Sequence, residues 1–414
     1  MNPQLDADLD RQQGSRSATA AVYLIATGAF ALGMASYVTA GLIPMIQQAF
    51  DVQVAVAAQL VTAFTLAYGI GSPVFVAMLP AQRQRFGLLV ALALFVIANV
   101  ASALVDDFVS LMIWRAIAGV GAGVYLATGI AASAAVSAPE LRGKAIALIM
   151  GGMASGTVLG VPVSLLLAER FGWQMALWLV AFLGFISWVG LVVKLPAIPA
   201  GPAIPFSRKL ALLGDHKVLT ILMVSLLAAV ASLGMYTFMV PLMAAAEYGG
   251  VTNITPYLWV WGLGGVAGSF LVGPLVDRIK GPMLTFLILV TLSVSLFALP
   301  AAAAITPWLA KVPIAVWGAV GWALQVPQNN ELIAARGHKG DGNLAVALNE
   351  SALYLGSALG AAAGGFILLL QMPGWVLAVS AGAVSVIAAL LQISRLIHGN
   401  VPVDPIVSRE KNCA

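Results

Sequence analysis

The chain has little charge. Asp, Glu, Lys and Arg together make up 9% of its 414 residues, whereas an ordinary soluble domain carries about 25%, so a water-solvated surface of normal extent is excluded. It has one cysteine, Cys413, in the polar C-terminal stretch, which excludes an intrachain disulfide and a thiolate metal site. Its three histidines, His216, His338 and His398, fall in loop or tail stretches, and no His/Cys/carboxylate cluster has metal-ligand spacing. The glycine-rich stretches lie within apolar runs instead of following a strand as a phosphate loop does. Neither an enzyme nor a cofactor is expected. A net charge of only +4, spread over separate loops, offers no nucleic-acid patch.

What the chain has instead is apolar length. Hydrophobic residues make up 61% of it. A bilayer core about 30 Å thick takes roughly 20 apolar residues per helix, and twelve runs of about that length lie near 20–43, 55–78, 86–104, 109–133, 145–168, 174–195, 218–242, 256–276, 282–304, 307–330, 343–370 and 374–397. They are too long and too uniformly apolar for the alternating segments of about ten residues that build a membrane β-barrel. The fold class is all-α, a twelve-helix membrane bundle. The first run is too long for the 7–15-residue core of a signal peptide and reads as an uncleaved helix. Short cytoplasmic loops are enriched in Lys and Arg; with both termini cytoplasmic, seventeen of the twenty Lys and Arg residues lie inside, Arg170 and Lys311 outside, and Arg115 within helix four.

The runs divide six and six. Between them lies "LPAIPAGPAIPFSRKLALLGDHK", rich in Pro and then basic, which reads as a linker with one short surface helix. The expected organisation is a cytoplasmic tail 1–19, an N-terminal six-helix bundle 20–195, a linker 196–217, a C-terminal bundle 218–397 and a tail 398–414. The halves echo each other: "GSPVFVAMLPAQRQR" aligns at an offset of 197 with "GSFLVGPLVDRIKGP", as does Pro44 with Pro241. Gly152, Gly156 and Gly160 of helix five match Gly356, Gly360 and Gly364 of helix eleven at an offset of 204. Small residues every fourth position let helices approach closely in lipid; the stripes are either tight packing alone or surfaces that slide between two states. Duplicated halves around a midplane site are how many secondary transporters are built.

From about Ala20 to Leu396 the chain resembles the major facilitator superfamily, and more narrowly its drug/proton antiporter branch, which includes bacterial sugar and nucleoside efflux permeases. "TAGLIPMI" and "AAQLVTAFTLAYGIGSP" look like that branch's first two helices, and "LMIWRAIAGVGAG" is similar to the fourth-helix motif, with Arg115 at its arginine. "GGMASGTVLGVP" resembles the glycine-rich fifth-helix motif of exporters, with Gly160 and Pro162 where the family has an adjoining Gly-Pro. "GPLVDRIKG" looks like the second copy of the loop signature after helix two, with Asp277 and Arg278 in its acidic and basic places. Two departures stand out. Pro80 occupies the place of the acid in the first copy, and Ser36 in "GMASYV" stands where relatives often have a helix-one glutamate. The resemblance implies two six-helix bundles rocking about a central cavity, Arg115 in proton transfer or gating, and Asp277 with Arg278 latching the cytoplasmic loop of the second half.

One residue demands its own explanation. Of sixteen acids, fifteen fall in tails, loops or helix ends, but Glu350 in "LNESALYLG" lies about seven residues, or roughly 10 Å, into helix eleven. An ionisable group at that depth costs from about 2.5 to more than 10 kcal/mol and is seldom kept without a partner or a water-filled cavity. Tyr354 and Ser357 share its helix face, and helix ten adds Gln325, Gln328, Asn329 and Asn330. Desolvation disfavours the charged form of a carboxyl group, so one that is neutral when its cavity is dry and ionised when it is wet couples proton and substrate. The competing reading is a snorkelling or hydrogen-bonded glutamate that only stabilises packing. Arg115 likewise is either a functional cation or an arginine satisfied by carbonyls; in the outer half, it is not expected to pair with Glu350. Among aromatics that offer apolar faces with a polar handle, Tyr37, Tyr68, Tyr125, Tyr236, Trp259, Trp261 and Trp322 are candidates for the cavity, with Tyr37 and Tyr236 favoured near the middle of helices one and seven.

The expectation is therefore a multi-pass protein of the cytoplasmic membrane, a monomer, exporting a drug, sugar or nucleoside-like molecule by proton antiport. Its partners are that small molecule, protons and the lipid bilayer. Glu350 and Arg115 serve proton coupling, and Ser36, Tyr37, Tyr236, Gln325, Tyr354 and Ser357 bind substrate. An uncoupled facilitator or importer is the alternative that Ser36 and Pro80 favour, and a non-transporting receptor is a third.

Overall fold

The computed structural model describes residues 3–138, 141–198, 214–336 and 342–398, with the side chains of 3–18, 77, 81, 277, 342–344 and 398 left undescribed. The basic linker segment 199–213, with its expected surface helix, and the tail 399–414 lie outside the described residues. Twelve membrane helices follow one another: α1 (Pro3–Phe50), α2 (Gln59–Met78), α3 (Gln84–Leu104), α4 (Phe108–Val136), α5 (Arg142–Phe171), α6 (Gln174–Lys194), α7 (His216–Ala244), α8 (Thr255–Arg278), α9 (Gly281–Ile305), α10 (Lys311–Ala323 and Gln325–Arg336), α11 (Gly342–Leu369) and α12 (Trp375–His398). The first continues back through the polar stretch 3–19, where the composition predicts only a tail.

Eleven of these are long and apolar enough to cross a membrane without interruption. The twelfth, α10, differs from the expected run 307–330: it reaches Arg336 and is divided at Leu324. Pro327 is the physical reason. It has no N–H to donate to the carbonyl of Ala323, and its ring crowds that carbonyl. A second irregularity sits in α5, where Gly156–Gly160 form a π-turn just ahead of Pro162. Proline again removes a ladder donor, and a wider turn re-registers the helix. Large apolar side chains such as Phe270, Ile305 and Trp308 point outward, 72% exposed or more, as suits a surface solvated by hydrocarbon.

Both glycine stripes lie inside their own bundles. Gly152, Gly156 and Gly160 face α1, where a Cβ on Gly152 would meet the carbonyl oxygen of Ala26 at 2.5 Å, on Gly156 that of Phe30, and on Gly160 the side chain of Met34. Gly356, Gly360 and Gly364 face α7, where a Cβ on Gly360 would meet the carbonyl oxygen of Val230 at 2.5 Å and Cα of Gly234 at 2.6 Å. The structure thus places the stripes in close helix packing within each bundle.

Between the halves, the outer and inner levels differ. In the outer half one apolar core runs through both bundles, joining Val38 and Ile43 of α1 and Leu60 of α2 to Tyr236 and Met239 of α7, Trp261 of α8 and Ala361 of α11. In the inner half the cores are separate, one in the N-terminal bundle that only Tyr354 joins from the other side, and two within the C-terminal bundle. The molecule is closed outside, and its cavity lies toward the side of the basic loops.

That inner end of the C-terminal bundle is tied by ion pairs. Arg336 Nη1 meets Asp215 Oδ2 at 2.9 Å, joining α10 to the N-cap of α7, and Arg395 Nη2 meets Glu331 Oε2 at 2.8 Å, joining α12 to α10. Asp215 also accepts from the backbone N–H of Lys217 at 3.0 Å. Arg278 is exposed, and the side chain of Asp277 lies outside the described residues, so the ties described here come from other residues than the motif pair.

Candidate functional site

A cavity of about 300 Å³ lies between the bundles, walled by α1 and α5 on one side and by α7 to α11 on the other. Its volume is at the small end of the usual range for organic ligands. Glu350 stands on the wall, half-buried. Among the described residues of the lining it is the one carboxylate. It is neither packed into the bundle nor at a helix end; α11 begins eight residues earlier and presents it to the cavity.

The residues expected to accompany Glu350 divide between two places. Tyr37, Gln325 and Trp322 line the cavity with it. Ser36, Tyr236, Tyr354 and Ser357 do not; with Tyr37 they surround a void of only about 10 Å³ just beyond its outer end. They form the seal. The ring of Tyr354 stacks on Tyr68 of α2 with centroids 3.5 Å apart, and its hydroxyl lies 3.1 Å from Ser36 Oγ on α1. Ser36 spends its one proton on the carbonyl of Leu32, 2.9 Å away, so Tyr354 is the donor across the interface. Tyr37 meets Tyr236 edge-on at 5.3 Å, and Tyr236 lies 4.5 Å from Trp261. Tyr37 belongs to both regions and separates them. The shared helix face of Glu350, Tyr354 and Ser357 is real, but the N-terminal bundle covers its outer part.

Arg115 is elsewhere. It is 1% exposed, inside the N-terminal bundle, where Nη2 donates to the carbonyl of Ala35 at 2.8 Å and Nη1 to Asn99 Oδ1 at 3.2 Å. Its guanidinium lies 4.6 Å from the centre of the Phe64 ring. These partners, on three different helices, hold α4 against α1, α2 and α3, and no wall of the cavity includes it. Tyr125 likewise donates to the carbonyl of Ile25 at 3.0 Å within that bundle, and Trp259 is half-buried away from the cavity.

Three polar wall residues went unread or under-read in sequence. Gln328 is fully buried, and neither its Nε2 nor its Oε1 has a hydrogen-bonding partner in the protein. Asn349 donates from Nδ2 to Asn329 Oδ1 at 2.9 Å and keeps Oδ1 without a partner. Ser225 Oγ is also without one. The sequence signal for Asn349 was its place beside Glu350; a serine in an apolar helix such as α7 carries no signal, because it routinely bonds its own backbone.

Comparison with known proteins agrees with this architecture. The family model described as Major Facilitator Superfamily matches residues 25–341. The chain is 30% identical over 345 residues, 83% of its length and 87% of the relative's, to the inner membrane transport protein YdhP of Escherichia coli O157:H7. It is 28% identical over 277 residues, 64% of its length and 70% of the relative's, to a chloramphenicol resistance protein of Streptomyces lividans. Among solved structures, the D-xylose-proton symporter shares the fold with a TM-score of 0.74 at 16% identity, over 90% of this chain and 96% of that one. The chain is therefore a member of the Major Facilitator Superfamily, a multi-pass membrane transporter of a small molecule.

Proposed function

We propose that this transporter works in the cytoplasmic membrane as an exporter, taking a small organic molecule from the inner side in exchange for protons, with Glu350 as the proton carrier. The observation that carries the reading is the position of Glu350, the one carboxylate among the described residues on the wall of a cavity between two bundles that are closed on the outer side. Such a cavity alternates between wet and dry as the bundles rock. A carboxyl group in it changes its preferred protonation with the cycle, since desolvation disfavours the charged form. Substrate and proton that both depend on Glu350 are then linked, each lowering the affinity for the other. Two relatives support export and placement in kind: one is a resistance protein, the other an inner membrane protein.

The test is transport in proteoliposomes of the purified protein with an imposed pH gradient, using chloramphenicol among the trial substrates. Wild type is expected to drive uphill substrate movement and to move protons when substrate alone is placed on one side. Glu350→Gln is expected to fold, bind substrate and lose both responses. Proton-driven transport that survives in Glu350→Gln would refute the assignment.

A second reading is an uncoupled facilitator, favoured by Ser36, which leaves the corresponding place in α1 without an acid. It predicts downhill substrate flux with no accompanying proton movement in the same vesicles.

A further inference from the structure

We infer that the substrate carries a neutral carboxamide-type group, an amide, carbamate or lactam edge, which is read by Gln328, Asn349 and Ser225 at the kink of α10. The inference rests on the reading of the cavity as the substrate site, and it names what that site recognises.

The kink comes from Pro327, which divides α10 at Leu324 and starts its second half at Gln325, beside the cavity. Gln328 follows in the first turn of that half, fully buried on the cavity wall, with both atoms of its carboxamide unpartnered. Two further residues of the same cavity lining, on two other helices, repeat the pattern. Asn349 of α11 is held in orientation by the bond from its Nδ2 to Asn329 Oδ1, which leaves its Oδ1 as a fixed acceptor, and Ser225 of α7 brings a hydroxyl that rotates to donate or accept. Buried polar groups in proteins are nearly always paired. Here unpaired ones from three helices of the C-terminal bundle line one cavity.

The charge state of the ligand group follows from the donors and acceptors. The carboxamide of Gln328 has two N–H donors and an oxygen acceptor. A carboxylate would satisfy the donors but face Gln328 Oε1, Asn349 Oδ1 and Glu350. An ammonium would satisfy the acceptors and leave the Gln328 N–H groups unpaired. A group with donor and acceptor side by side satisfies both, and the Asn349 oxygen reinforces its donor. Met150, Leu292, Trp322 and Leu353 supply apolar wall for the remainder of the molecule.

A site that hydrogen-bonds a ligand N–H rejects the analogue lacking it, because its own buried groups are then left unpaired. The experiment measures binding to the purified full-length protein by quenching of tryptophan fluorescence, with two matched pairs that differ in N–H against O: benzanilide against phenyl benzoate, and caprolactam against caprolactone. Wild type is expected to bind the amide at least about tenfold more tightly than the ester. Gln328→Leu is expected to bring the ratio close to one, and Ser225→Ala to reduce it. The ratio is read as binding with no pH gradient, whereas proton coupling is read as proton movement in vesicles, so loss of proton coupling and loss of amide recognition are separately visible. Should Gln328→Leu fail to fold, Gln328→Met, which matches the side chain in length, reads the same ratio. Wild type that fails to prefer the amide in either pair, including failure to bind either member, overturns the inference, as does a preference that persists when Gln328 is replaced.

Discussion

The hydroxyl of Tyr354 reaches across the bundle interface to Ser36, and removing it should loosen the outer seal by a calculable amount. Ser36 is 8% exposed and Tyr354 6%, so their bond at 3.1 Å is sheltered from water while the outer half is closed. When the bundles part on that side, both groups are hydrated, and the bond contributes to closure only its net value, about 0.5–1.5 kcal/mol. Tyr354→Phe deletes the bond but keeps the ring stacked on Tyr68. The population of the outward-open state should therefore rise by about 2- to 13-fold. Tyr354→Ala also removes the stack, worth about 0.5–1.5 kcal/mol beyond its buried area, and should open the seal further. The assay is labelling by a membrane-impermeant maleimide, applied from the outside, of a cysteine introduced by Ala361→Cys in the seal, with Cys413→Ser removing the native thiol. In the regime where labelling is slow compared with opening, its rate follows the open population. Ser36→Ala should match Tyr354→Phe, and the double variant should add little to either. Labelling of Tyr354→Phe at the wild-type rate would refute the claim that this bond helps hold the outer side closed.

Four further outcomes are expected. Gly360→Val places a side chain against the carbonyl of Val230 and the backbone of Gly234, atoms that cannot move aside, and should destabilise the protein by about 1–3 kcal/mol. Gly151→Ala, where nothing lies within 4 Å of the new carbon, should leave its melting temperature in detergent unchanged. Arg115→Lys replaces the planar two-nitrogen fork that meets Ala35 and Asn99 with a single ammonium; loss of one hydrogen bond to a charged group, worth about 1.5–3 kcal/mol, should lower thermal stability without shifting the pH profile of transport. A shifted profile would give Arg115 the coupling role instead. At Asp215, partial burial alone would favour the protonated form, but the backbone N–H groups of Lys217 and Val218 and the Arg336 guanidinium outweigh it and hold the pKa below the ordinary 3.8. A depressed folded-state value contributes stability above the unfolded pKa and loses it as pH falls through the folded one. Wild type should thus melt above Asp215→Asn at neutral pH, with the difference shrinking below about pH 4; a constant difference would show that the carboxylate's ionisation contributes nothing.

Much of the architecture is written in the order of residues, for reasons that are local or solvent-imposed. Hydrocarbon leaves a backbone no partner but itself, so each apolar run of sufficient length had to become a helix, and the linker between the sixth and seventh runs marked the division into halves. Helix ten was misplaced because its second half, "QVPQNNELIAAR", has the polarity of a loop. Its polar side chains are tolerated where they meet a cavity and an ion pair instead of lipid, which run-length reasoning does not register. Glu350 was legible for the opposite reason, a carboxylate where the solvent forbids one.

What sequence alone could not decide was which polar groups face each other. Glu350, Tyr354 and Ser357 share a helical face, yet the approach of α1 and α2 to α11 leaves the first in a cavity and puts the others in the seal. Arg115 and Glu350 are both intramembrane ionisable groups, yet one is held by Ala35, Asn99 and Phe64 inside a bundle. The unpaired groups of Gln328, Asn349 and Ser225 lie up to 124 residues apart in the chain. Solvent chemistry assigns each segment to the membrane one at a time, whereas a cavity is bounded by side chains from many segments and exists only once their helices have packed.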